Sequence, residues 1–172
     1  NLSSQTYTSR QTPLNTYVYV SNCLFRSITS DSNGGAMYCS NSVTCLLVES
    51  TSFFSCKTSG YTGAIYFQNT DNGQCVLNEV CGYDCCSTSG YSEGQFSYTS
   101  VYNVASSKNY VNYSSITRCM NEILGSHGVL SPRNGKVCYS SINMSMNKSP
   151  CVPTILSYPF SDSNSVTSSL VY

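Results

Sequence analysis

The sequence predicts an all-β fold: a parallel β-helix of about five coils, with about 28–30 residues per coil. Three observations predict it. An aromatic-x-x-apolar phrase recurs as Phe25-Arg-Ser-Ile28, Phe53-Phe-Ser-Cys56, Tyr83-Asp-Cys-Cys86, Tyr113-Ser-Ser-Ile116 and Tyr139-Ser-Ser-Ile142, at spacings of 28, 30, 30 and 26 residues. A second phrase accompanies the first three copies: Gly35-Ala-Met-Tyr38, Gly63-Ala-Ile-Tyr66 and a degraded Gly94-Gln-Phe-Ser97. Short apolar or alternating runs lie between Gly, Asn, Asp and Ser clusters, with no sustained helical period. Self-similarity at such a period marks a repeat architecture, and short strands between turn signals mark β-structure. A sandwich or barrel has no reason to repeat at this interval.

The elements follow in chain order. Residues 1–16 are polar and expected as an N-terminal arm or cap. Coils are drawn at 17–44, 45–74, 75–105, 106–131 and 132–157, and residues 158–172 are expected as a C-terminal strand, cap or linker. Strand candidates include Tyr17–Val20, Val43–Val48, Ala64–Phe67, Cys75–Leu77 and Gln95–Tyr98; Met120–Leu124 is the best helical fragment and is too short to stand alone. In a β-helix, equivalent residues of successive coils stack ~4.8 Å apart. One internal column is then Phe25, Phe53, Tyr83, Tyr113 and Tyr139, and the next is Ile28, Cys56, Cys86, Ile116 and Ile142. The mixed set Arg26, Phe54, Asp84, Ser114 and Ser140 suits an outward position.

Charge excludes several functions. Only 9% of residues are charged and formal net charge is zero, against about 25% charged residues in ordinary domains. The basic residues are scattered singly, so no surface is built to neutralise phosphates, and nucleic acid is excluded as a partner. No apolar run is long enough for a membrane-spanning helix. Asn1 stands where an initiator Met would be, which suggests a processed product or a fragment.

Eleven cysteines are dense for this length. They lack the paired spacing of a metal site, and the lone His127 lies far from the Cys81, Cys85, Cys86 cluster, so no metal is expected. Disulfides in an oxidising compartment fit better. Cys45 and Cys75 are 30 residues apart, as are Cys56 and Cys86, so each pair is a candidate bridge between adjacent coils. A buried ladder of free thiols is the alternative, since free Cys packs as a small hydrophobe. Four N-x-Ser/Thr sequons, at Asn1, Asn112, Asn143 and Asn147, are candidate N-glycan carriers. Asn112 alternates with Val111 and Tyr113, and Asn143 and Asn147 alternate with Ile142, Met144 and Met146. Strand alternation would turn these asparagines to solvent.

Gly34-Gly-Ala-Met-Tyr38 and Thr62-Gly-Ala-Ile-Tyr66, each about ten residues after a Phe, resemble the Gly-Gly-Ala-Ile repeats of polymorphic outer-membrane surface proteins over residues 20–98. The family's companion Phe-x-x-Asn lacks its Asn here, where Ile28 and Cys56 stand. The resemblance implies a right-handed coil at the cell surface with an adhesive or structural role.

No catalytic constellation is found. Polysaccharide-acting β-helices need grouped carboxylates, and only Glu49 and Glu79 share an approximate register. Repeated Tyr38 and Tyr66 read as a ladder rather than a sugar platform. The expected function is an extracellular structural or adhesive glycoprotein, a fibre or surface-layer subunit that self-associates head to tail, has glycans or cell-surface ligands as candidate further partners, and needs no cofactor. The alternative is a carbohydrate-binding or polysaccharide-cleaving β-helix.

Overall fold

The computed structural model describes residues 1–120, 128–147, 155, 165–167 and 170–171. The chain is all-β, a parallel β-solenoid of about four turns, and among the described residues every strand pair is parallel.

Two corners explain the repeat. Residues with left-handed backbone occur in pairs five apart: Asn22 and Ser27, Ser50 and Ser55, Glu79 and Asp84, Tyr113 and Arg118, Ser141 and Met146. Each such residue resets the alternation of inward and outward side chains. In Cys45–Phe54 the inward residues are Leu46 and Val48 before Ser50, then Thr51 and Phe53 after it. Gln74–Tyr83 does the same, with Cys75 and Leu77, then Val80 and Gly82. An unbroken strand would carry one parity throughout.

The two halves so formed belong to one 12-stranded sheet. Its first half stacks Leu2–Ser3, Tyr17–Ser21, Cys45–Glu49, Gln74–Asn78, Lys108–Asn112, Lys136–Ser140 and Ser165–Thr167. Its second half stacks Thr6–Tyr7, Leu24–Arg26, the ends of the two long strands, Ser115–Thr117, Asn143–Ser145 and Leu170–Val171. Residues 1–16, expected as an arm or cap, thus add a partial rung. A three-stranded sheet (Thr29–Ser30, Lys57–Thr58, Cys86–Ser87) and a four-stranded one (Met37–Cys39, Ile65–Gln68, Ser97–Ser100, Leu130–Arg133) close the cross-section.

The register departs from expectation after the second turn. Phe25 pairs with Phe53 as expected, but Phe53 pairs with Gly82, and Gly82 with Ile116. Tyr7, Phe25 and Phe53 form a stacked aromatic spine, with centroids 4.9 and 4.8 Å apart. Tyr83 turns outward onto Phe54, and Tyr113 is an exposed corner residue. Tyr139 is internal, but in the column of Val20, Val48, Leu77 and Val111.

The slip has a packing cause. Met37, Ile65 and Ser97 share a register, so Ala36, Ala64 and Phe96 occupy equivalent places. Where Phe25 or Phe53 fills the core, the matching residue of the four-stranded wall is Ala. Where Gly82 leaves room, Phe96 supplies the ring, edge-on to Phe53 with centroids 5.8 Å apart. A Cβ on Gly82 would lie 2.4 Å from the Phe96 ring. Gly34 and Gly94 are the true equivalents in the Gly-Ala phrase: both have φ of +69°, and a Cβ on either would lie 2.1 Å from the carbonyl oxygen of Met37 or Ser97.

Candidate binding face

The outer surface of the 12-stranded sheet is built from i, i+2 positions of the same strands that fill the core. Over the first half runs the in-register row Tyr19, Leu47, Val76, Tyr110 and Cys138, flanked by Tyr17 and Cys45. Tyr19 and Leu47 are 37% and 36% exposed, a high value for apolar neighbours on one face. Over the second half, the low row Leu24, Ser52, Cys81 and Ser115 runs beside the row Arg26, Phe54, Tyr83 and Thr117. The difference in height leaves a groove of about 440 Å³, floored by Phe53 and Gly82 and walled by Phe54 and Tyr83. Arg26 is the charged residue lining it.

The rings of the aromatic wall stack on each other. Phe54 and Tyr83 stack on each other at 5.1 Å and 7°, and the Arg118 guanidinium lies 6.0 Å from the Tyr83 centroid and donates to its hydroxyl at 2.9 Å. The ladder on the four-stranded wall is covered likewise. Tyr38, Tyr66 and Tyr98 stack at 5.4 and 5.0 Å, with Arg10 over Tyr38 and Arg133 over Tyr98. Arg10 is fixed by donating to the carbonyls of Asn33 and Gly34, and Arg133 pairs with Glu93 at 2.5 Å. Burial, then the neighbouring phenols Tyr98 and Tyr38, push the Tyr66 phenol up to about 12. Tyr38 and Tyr66 thus lie in the register read from the sequence; Tyr98 and both arginines were not legible there.

The other candidate residues disperse. Glu49 pairs with Asn78, not Glu79, and accepts from Tyr19 Oη at 2.8 Å. Glu79 is a corner residue accepting from Ser50 Oγ at 2.7 Å. Among the described residues no Cys, His, Asp or Glu cluster could hold a metal. His127, Glu122, Asp162 and most of Met120–Leu124 lie outside the described residues. Lys57 and Asp84 pair at 3.2 Å beside the second corner, and the Asp84 hydrogen bond raises the Lys57 pKa.

Asn1 and Asn143 are exposed, and Asn112 sits half-buried in the outward row with Asn78 and Ser140. Asn147 is the correction. The corner at Met146, with φ of +56°, flips the parity and turns Asn147 inward. There its Oδ1 accepts from Cys119 N–H at 2.8 Å and its Nδ2 donates to Ile116 O at 2.7 Å, so its amide is committed to the core. The cysteine pairs also change. Cys45 is opposite Gln74, and Cys86 is opposite Lys57. A one-residue shift moves a side chain to the other face of a strand, which removes the in-register basis for the Cys45–Cys75 and Cys56–Cys86 bridges. The ten described cysteines stand unbridged in the structure.

Comparison with protein-family models, curated proteins and solved structures finds no match. The fold and its outer rows define the class: a parallel β-solenoid repeat protein.

Proposed function

We propose that this chain is an extracellular structural or adhesive glycoprotein, a unit of a fibre or surface layer in the manner of the Gly-Gly-Ala-Ile repeat proteins its phrases resemble. The observation that carries this reading is the apolar outer surface of the long sheet, the row from Tyr19 to Cys138 beside the Phe54–Tyr83 groove. Contiguous exposed apolar patches on soluble proteins mark interaction surfaces. Low charge supports it, because little repulsion separates copies. Axial growth belongs to the same proposal: each rung takes the next by parallel backbone pairing, so a neighbour's strand can extend the stack. N-glycans at Asn1, Asn112 and Asn143 would border this face, Asn1 before its first rung, Asn112 two residues from Tyr110 and Asn143 opposite Ser115, and leave Leu47 and Val76 between them for contact. The carbohydrate-active alternative gains less support. Its stacking platforms would need free ring faces, whereas Phe54 and Tyr83 stack on each other, arginines lie over both ends of the Tyr38–Tyr66–Tyr98 ladder, and no carboxylate lines the groove.

Light scattering across a concentration series tests the proposal. The wild-type chain is expected to associate as concentration rises. Leu47→Lys puts a charge in the middle of the row on a solvent-facing side chain, so it is expected to fold normally and to associate at least tenfold more weakly. A wild-type chain that stays monomeric throughout, or a Leu47→Lys chain that associates unchanged, overturns the reading.

A further inference from the structure

The residue after the second corner enters the core in every turn, and this column reads Ile28, Cys56, Cys85, Cys119, Asn147. Three consecutive places are thiols. The Cys56 N–H lies 3.4 Å from Cys85 Sγ, and the Cys85 N–H lies 3.4 Å from Cys119 Sγ. All three residues have no exposed surface. Each sulfur also meets a carbonyl two residues back, Phe54 O, Tyr83 O and Thr117 O at 3.6, 3.4 and 3.4 Å, and Cys56 Sγ reaches Phe25 O at 3.7 Å as well. Adjacent in-register residues stand ~4.8 Å apart, inside the Cα separation of roughly 4.4–6.8 Å that a disulfide spans. Cys56 and Cys119 are two rungs apart, ~9.6 Å, and out of reach of each other.

We propose that Cys85 is the shared partner of a buried alternating disulfide, bonded to Cys56 or to Cys119 but never to both, and formed while the chain folds. The oxidant is a small-molecule disulfide such as oxidised glutathione. The Cys85 thiolate attacks one of its sulfurs and expels a thiolate. Cys56 or Cys119, as thiolate, then attacks the Cys85 sulfur of the mixed disulfide and expels the second. Two protein thiols are oxidised, one small disulfide is reduced to two thiols, and the two protons pass to those. The timing follows from geometry: the closed core admits neither oxidant nor reductant. Burial also pushes the Cys85 thiol well up, so thiolate is scarce once the stack has closed. The bridge, once enclosed, resists reductants added afterwards.

The test is refolding of the full chain from the reduced, denatured state in a glutathione redox buffer, then alkylation and non-reducing peptide mapping. The expected product has lost about 2 Da at this column, one disulfide's worth of hydrogen, with Cys85 joined to Cys56 or Cys119. C56S is expected to send all of the bridge to Cys119, and C119S all of it to Cys56. C85S is expected to leave both remaining thiols unbridged within the column, and C86S to behave as wild type. Three alkylated thiols in the wild type, a bridge through Cys86, or a Cys56–Cys119 bridge in C85S overturns the proposal. If C85S fails to fold, the C56S and C119S pair still decides.

Discussion

The exchange of ring and glycine between opposite walls gives the sharpest test of the register. Glycine in a strand is ordinarily a weakness, and Ala in its place gains about 0.5–1 kcal/mol. At Gly82 the sign should reverse. The added Cβ would meet Phe96 carbons at 2.4 and 2.7 Å, and the fully buried ring would have to move about an ångström against Phe53. Overpacking of this kind costs roughly 1–3 kcal/mol, so Gly82→Ala is expected to destabilise by about 2 kcal/mol. Phe96→Ala removes the ring and is expected to cost about 3–5 kcal/mol. In that background Gly82→Ala should stabilise by about 0.5–1 kcal/mol, and Gly82→Phe with Phe96→Ala should recover much of the loss by restoring the arrangement of Phe53 with Ala64. Tyr83→Ala, which strips an outward ring stacked on Phe54, should cost only about 0.5–1.5 kcal/mol. Urea midpoints at constant slope measure all five. A Tyr83→Ala loss as large as that of Phe96→Ala, or a Gly82→Ala effect of the same sign in both backgrounds, would refute the register.

The remaining predictions concern corners, the buried amide and pH. Tyr113 sits at φ of +47° with its ring exposed; Tyr113→Gly is expected to stabilise by up to about 1 kcal/mol, and Tyr113→Val to destabilise, since a β-branched residue fits that backbone worst. Asn147→Ala leaves Cys119 N–H and Ile116 O without their partner and should cost about 1–3 kcal/mol; deglycosylation mapping should find mass shifts at Asn143 and none at Asn147. Stability should fall as pH rises. Burial raises Cys39 from 9.0 to about 12 and Tyr66 from 10.0 to about 12. The folded chain therefore holds protons that the unfolded chain releases, and the stabilisation present below pH 9 is lost on the way to pH 12. Tyr66→Phe should flatten urea midpoints measured from pH 8.5 upward; an unchanged slope would remove Tyr66 as a source.

The sequence by itself determined the architecture and the start of its register. Period and turn chemistry demand stacked parallel coils, and the first two copies, Phe25-Arg-Ser-Ile28 and Phe53-Phe-Ser-Cys56, align in the structure as they do in the letters. So do Tyr38 and Tyr66. Tertiary structure decided the rest, for two reasons. The corners follow one grammar, inward, outward, left-handed, inward. Tyr139-Ser-Ser-Ile142 belongs to the first corner yet matches the wording of the second, in Phe25-Arg-Ser-Ile28. And the core conserves volume rather than position. Once Phe96 crosses from the opposite wall, Gly82 takes the aromatic place, and the nearest Tyr in sequence, Tyr83, is left outside. Cys85 follows from that slip and Asn147 from the corner at Met146, since a corner that resets parity decides which of two adjacent residues meets the core, and linear spacing carries no mark of where the reset falls.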